Sequence, residues 1–269
     1  LQKAIQINPH YAPAHNNLGA SLKELGEYQR AINCCQKAIK INLNYADAYN
    51  NLGASLKELG ELQKAIDCYQ KAIQIQPNFE SAHTNLGAVF QELGEVHKAI
   101  NCYKKLSKIE SNPGNAYQQL GGLYVVLGDV QKAISAYQNA LKYEADNLVY
   151  YYHLIDLKKE ILDLDLRNKI CRIINDSNCT KKNLAYGNFL LSKYAQKEKN
   201  YKKEFDNLIK GHQYYFETQE EKHKKQLKYW LNELPNIKEL FDFNKSKKEI
   251  KKINHKIKPI FIVGVPRCG

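Results

Sequence analysis

NNLGASLKELGE, residues 16–27, returns letter for letter at residues 50–61. Looser copies stand at residues 84–95 (TNLGAVFQELGE) and 118–129 (QQLGGLYVVLGD), so Gly19, Gly53, Gly87 and Gly121 fall 34 residues apart. Self-similarity at that period marks a helical repeat array, in which each unit buries its apolar face only by stacking on the next. Working outward, complete units begin near Ala12, Ala46, Glu80 and Gly114, while the opening LQKAIQINP matches the second half of a unit. Each unit splits into two apolar-periodic helices joined by a Leu-Gly-(Glu/Asp) turn.

The physical logic of a unit is readable. Leu18, Leu22 and Leu25 fall at i, i+4 and i+7, which predicts one apolar face. Gly19 beside them lacks a Cβ and lets the second helix approach, and Gly26 is placed to end the first helix in a left-handed conformation. Ala31 and Ala38, with Ile32, Cys35 and Ile39, supply the second helix's contribution to the space between helices. Seven cysteines form no CxxC, and Cys34, Cys68 and Cys102 recur at the repeat period. They read as small buried apolar residues in a reducing compartment, the cytoplasm, with no metal called for. His15, Tyr49, His83 and Tyr117 share one repeat position and read as packing aromatics, because tyrosine stands in for histidine there.

This pattern resembles the tetratricopeptide repeat (TPR) family, whose small/large signature appears as Leu52, Gly53, Leu56, Ala65, Tyr69, Ala72 and Pro77. The resemblance implies an all-α, right-handed superhelix, with first helices lining an inner groove where peptides bind. Asn17, Asn51, Asn85 and Gln119 precede the Leu-Gly pairs and form a row of carboxamides one repeat apart. The row is similar to the asparagine ladder in the repeats of O-linked N-acetylglucosamine transferase, which holds an extended peptide by its backbone. A carboxamide both donates and accepts, so it suits peptide groups, and it equally suits bonds between repeats that fix the stack. Lys23 and Lys57, with Gln91, are expected to line the same groove and to favour an acidic peptide.

Four segments are expected. Residues 1–147 form the array, a partial repeat and four complete ones, and residues 148–243 a degenerate helical extension. Residues 244–257 make a Lys-rich linker, and residues 258–269 a truncated α/β strand with the start of a phosphate-binding loop. Residues 148–175 read as two degenerate helices, and the pair from Ala185 to Phe216 carries apolar positions at Phe189, Leu190, Tyr194, Tyr201, Phe205, Leu208 and Ile209. Residues 220–231 read as a basic amphipathic helix ending near Trp230. The sequence opens inside a unit and closes in a loop, which predicts a piece of a longer protein.

The closing KPIFIVGVPRCG changes vocabulary, from helical periodicity to an Ile/Phe/Val run entering Gly-x-Pro-Arg-x-Gly, as a buried strand enters an anion-binding turn. With Phe205, Leu208 and Gly211 upstream, it resembles TPR-containing sulfotransferases, whose first strand runs into a Pro-Arg-Ser-Gly-Thr-Thr loop. The resemblance implies that Pro266, Arg267, Cys268 and Gly269 hold 3'-phosphoadenosine 5'-phosphosulfate (PAPS), with Cys268 in place of the usual serine. It implies a transferase acting on a protein or glycan acceptor, whose catalytic residues lie beyond Gly269, so that this segment alone is inactive.

Two other function classes stand beside it. One is a non-enzymatic adaptor that binds extended peptides. The other is a nucleic-acid-associated protein, suggested by the formal charge of +12 and by the 21 Lys/Arg against 10 Asp/Glu in residues 181–269. The A/T-rich codon vocabulary (Lys, Asn, Ile, Tyr) explains that charge more simply, and nucleic acid is the less favoured partner. No apolar run approaches the roughly 18 residues of a membrane helix, so no membrane partner is expected.

Overall fold

The computed structural model describes residues 2–158 and 162–219. The amphipathic segment with Trp230, the linker at 244–257 and the strand and loop at 258–269, with Pro266, Arg267, Cys268 and Gly269, lie outside the described residues. Among the described residues the chain is entirely helical. A short α1 (Gln2–Ile7) leads into four hairpins: α2 (Ala12–Glu24) with α3 (Tyr28–Ile41), α4 (Ala46–Glu58) with α5 (Leu62–Ile75), α6 (Glu80–Glu92) with α7 (Val96–Ile109), and α8 (Gly114–Val126) with α9 (Val130–Tyr143). The helices α10 (Leu148–Leu157), α11 (Leu164–Ile174), α12 (Lys181–Lys197) and α13 (Tyr201–Thr218) follow. Most helices pack chiefly on their chain neighbours, α4 also meets α2 and α6 across the repeats, and α10 packs on α9 and α12. This is the geometry of a solenoid.

The turns and the glycine notches account for the hairpins. Gly26, Gly60, Gly94 and Gly128 hold φ between +71° and +78°, where a side chain is strained. Gly26 N–H donates to Lys23 O (2.9 Å) and Glu27 N–H to Leu22 O (2.9 Å), which satisfies carbonyls that the helix end would otherwise orphan. Two turns earlier, a Cβ on Gly53 would stand 2.8 Å from Tyr69 Cε1, and one on Gly121 would stand 2.6 Å from Tyr137 Cζ. The ring fills the notch. In the first unit a smaller pair does the same, Gly19 against the sulfur of Cys35.

One core runs from Ile32 to Leu154 through Tyr69, Leu86, Tyr103, Leu120 and Tyr137. A second joins Leu148, Ile155, Leu166, Ile170, Leu190 and Tyr194. Ile155, at the repeat position that glycine holds in the earlier units, is 2% exposed and belongs to the second core. The stacking continues through α10 and α12, which pack on each other.

Several packing expectations need correction. Leu25 does not extend the apolar face: α2 ends at Glu24, and Leu25 caps it at 74% exposure, while Leu18 is only half-buried. Cys34 and Cys68 are half-buried, and of that series only Cys102 is buried. The inward position is one residue later, held by Cys35, Tyr69, Tyr103 and Tyr137, and a helix turns about 100° per residue, which leaves its predecessor on the shoulder. Tyr201, Phe205 and Ile209 are exposed, because α13 presses its Asn207 and Gly211 edge on α12 and turns those side chains outward.

Candidate functional site

The first helices of the units carry the candidate site. Asn51 Nδ2 donates to Asn16 Oδ1 (2.9 Å), and Asn85 Nδ2 donates to Asn50 Oδ1 (3.0 Å). Each bond crosses from one repeat to the one before it. The expected row is thus also a set of stitches between α2, α4 and α6. Asn16 continues it weakly, with Nδ2 3.4 Å from Tyr45 Oη, and Asn17 is exposed at the end of the row. At the next step the facing residue is Thr84, whose hydroxyl donates to Glu80 O (3.0 Å), so Gln119 is not tied in the same way. A carboxamide has two N–H donors and an oxygen with two lone pairs. Asn51 and Asn85 each spend one donor on the stitch and keep the rest.

Beside the row, Lys23, Asn50, Lys57, Glu58, Tyr69 and Asn85 border a cavity of about 320 Å³. Lys23 Nζ stands 3.1 Å from Glu24 and Lys57 Nζ 3.9 Å from Glu58. Those carboxylates face solvent, and exposed pairs of this kind hold a side chain weakly. Tyr69 is wholly buried and its Oη has no hydrogen-bond partner. One repeat on, Tyr103 Oη donates to Gln91 Oε1 at 2.6 Å. Burial pushes the Tyr69 phenol well above its usual range and that of Tyr103 up to about 12, so both act only as neutral hydroxyls.

The chain matches profiles described as "Tetratricopeptide repeat" at residues 12–45 and 46–79, at 68–101 and at 114–147. It is similar to the crystal structure of MamA, with 30% identity over 54% of this chain and 84% of that one, at a TM-score of 0.50. This chain belongs to the tetratricopeptide-repeat family. Its TPR superhelix is also similar to YrrB, described as "a TPR protein with an unusual peptide-binding site" (22% identity, 65% and 93% of the two chains, TM-score 0.52). PilF of Pseudomonas aeruginosa matches at 18% identity over 78% and 97% of the two chains, at a TM-score of 0.59. At those identities the likeness concerns the fold. A comparison with curated proteins finds no match.

As a TPR chain it is a protein-interaction module, and the structure sorts its candidate residues. Asn51, Asn85, Lys23 and Lys57 come together around one stretch of the first-helix face, with Asn17 at one end and Gln119 beyond Thr84 at the other. His15 and His83 are buried, and their Nε2 atoms lie 2.9 Å from Pro9 O and Pro77 O. They staple a unit to the preceding turn. The sequence carried that signal unnoticed: histidine stands where the turn before it has proline, and Tyr49 and Tyr117 stand where it has Leu43 and Ser111.

A second cavity, about 460 Å³, opens between α10, α12 and α13, walled by Tyr152, Tyr186, Phe189, His212 and Tyr215. Its rings meet at steep angles, Tyr152 to Tyr186 at 76° and 5.3 Å and Phe189 to His212 at 66° and 4.9 Å. Sequence reasoning missed it. Burial pushes the Cys35 thiol up to about 12 and those of Cys68 and Cys102 up to about 11, which keeps them protonated and unreactive. Among the described residues no group of three or more His, Cys, Asp or Glu is placed to hold a metal ion, and no helix is long and apolar enough to cross a membrane.

Proposed function

We propose that this TPR module holds an extended peptide along Asn17, Asn51, Asn85 and Gln119 by its backbone. The observation that carries the reading is the arrangement of Asn51 and Asn85. Each is fixed by a bond to the previous repeat, which removes the entropic cost of ordering a free side chain, and each keeps a donor and an acceptor for a peptide group. A similar fold in YrrB, described as having a peptide-binding site, supports it. Replacing Asn17, Asn51 and Asn85 together by alanine is expected to abolish capture of peptides selected from a random library on the wild-type chain. Binding that persists while the stack loosens would leave the row a structural device alone.

The larger reading is that the module serves a PAPS-dependent sulfotransferase in the cytoplasm and presents a protein or glycan acceptor to it. The closing sequence supports this, since Pro266, Arg267, Cys268 and Gly269 would hold the phosphosulfate, with the arginine supplying fixed positive charge. PAPS supplies the sulfuryl group in that reading. The boundaries at residues 147, 243 and 257 belong to the same proposal. In that reading, sulfate transfer from PAPS by a protein that joins this segment to the rest of such a domain, lost on Arg267→Ala, is the expected result. A well-folded product that neither binds nor uses PAPS would leave an adaptor.

A further inference from the structure

Near-identical repeats create a problem of register. A row of amides with a 34-residue period offers the same contacts to a peptide displaced by one unit, so its position must be fixed where units differ. Among the positions where units differ on this face, two bear on the cavity beside the row. Positions 23, 57, 91 and 125 read Lys, Lys, Gln and Val, and positions 35, 69, 103 and 137 read Cys, Tyr, Tyr and Tyr. In the third unit tyrosine and glutamine satisfy each other, Tyr103 donating to Gln91. In the second unit Lys57 replaces the glutamine, and an ammonium cannot accept. Tyr69 Oη is left buried without an acceptor, at the edge of a cavity that Lys23 and Lys57 also border. Buried polar groups without partners are rare in folded chains, and one beside two cations points to an absent acceptor.

We infer that this cavity is a subsite for one carboxylate, an Asp or Glu side chain of the bound peptide, which accepts from Tyr69 Oη and is flanked by Lys57 and Lys23. The inference rests on the groove reading above and adds the residue that fixes register. The hydroxyl is shielded from solvent, so the carboxylate reaches it as a flexible neighbour such as Lys57 turns toward the ligand. Lys57 and Lys23 have side chains 33% and 25% exposed, and their partners Glu58 and Glu24 are at the surface, so neither lysine is committed.

The probe is a set of labelled, N-acetylated and C-amidated Ala/Ser peptides carrying one central Glu, with Gln and phosphoserine counterparts, titrated into the 269-residue chain. The Glu peptide is expected to bind about tenfold more tightly than the Gln peptide, the size of one charge-assisted hydrogen bond. Tyr69→Phe keeps the ring in the Gly53 notch, and Lys57→Gln recreates the satisfied pair of the third unit; both should erase the Glu preference while the Gln peptide binds as before. Equal binding of Glu and Gln peptides to the wild type, or a preference that survives Tyr69→Phe, overturns the subsite and leaves the groove standing. A preference confined to phosphoserine also overturns it. If no peptide binds the wild type, the groove reading fails and the subsite fails with it.

Discussion

Tyr69 and Tyr103 occupy the same place in successive repeats, yet their hydroxyls have opposite fates. Tyr103 donates to Gln91 and Tyr69 donates to nothing in the chain. Removing the oxygen should therefore have opposite effects. Tyr103→Phe removes that bond and should cost about 1 kcal/mol, whereas Tyr69→Phe should be neutral or stabilising, since the buried hydroxyl it deletes is unsatisfied. Urea midpoints of the two variants check the sign. Neighbouring glycines give a second contrast. A Cβ at Gly121 would collide with the Tyr137 ring at 2.6 Å, but one at Gly122 meets only Tyr137 Oη at 3.9 Å. Gly121→Ala should destabilise by about 1–3 kcal/mol through overpacking, and Gly122→Ala should stabilise by up to about 1 kcal/mol through helix propensity. Thermal unfolding of both variants reads the difference.

At the scale of elements, the junction of α9 and α10 is held by Glu144. Its carboxylate accepts from Asn147 Nδ2 (2.7 Å), Tyr150 Oη (2.8 Å) and Asn112 Nδ2 (3.1 Å), which ties the turn before α8 to the start of α10. Burial alone would raise the Glu144 pKa, but these bonds outweigh it and hold it below the ordinary value. A lowered folded-state pKa contributes stability that is present above the unfolded value and is lost as pH falls through the folded one. The chain should therefore weaken on acidification below the usual glutamate range, and Glu144→Gln should flatten that part of the profile. Denaturant midpoints across that pH range give the comparison.

Elements also mark the limits of what was legible. The hairpins of the array were readable because Gly19, Gly26 and their copies report a close approach and a left-handed turn by residue type alone. Leu25 misled because its spacing assumes a helix that Gly26 has already ended. Tyr201, Phe205 and Ile209 misled for another reason: periodicity identifies an apolar band on α13, but only the notch at Gly211 decides which edge of the band meets α12.

Across the whole molecule, the array is a row of units that share one fold and differ at single positions. The amide row was visible as a repeat position and bonds between repeats were one of its two readings, yet the register of those bonds was not. They join residues 35 apart, one more than the period, because each amide reaches back to its neighbour's preceding position. The aromatic cleft of α10, α12 and α13 was invisible for a related reason. Tyr152 and Tyr186 keep the 34-residue spacing, but the Leu-Gly signature that locates the repeats has gone, and only packing brings Phe189, His212 and Tyr215 beside them.

The most direct measurement is the response of the side-chain amide resonances of Asn17, Asn51 and Asn85 as a library-selected peptide is titrated into the isotopically labelled chain. If the peptide backbone lies on the row, those resonances should shift together with binding, in proportion to peptide bound. Shifts that leave the three amides untouched and fall instead on the aromatic cleft or the outer helices would contradict the account.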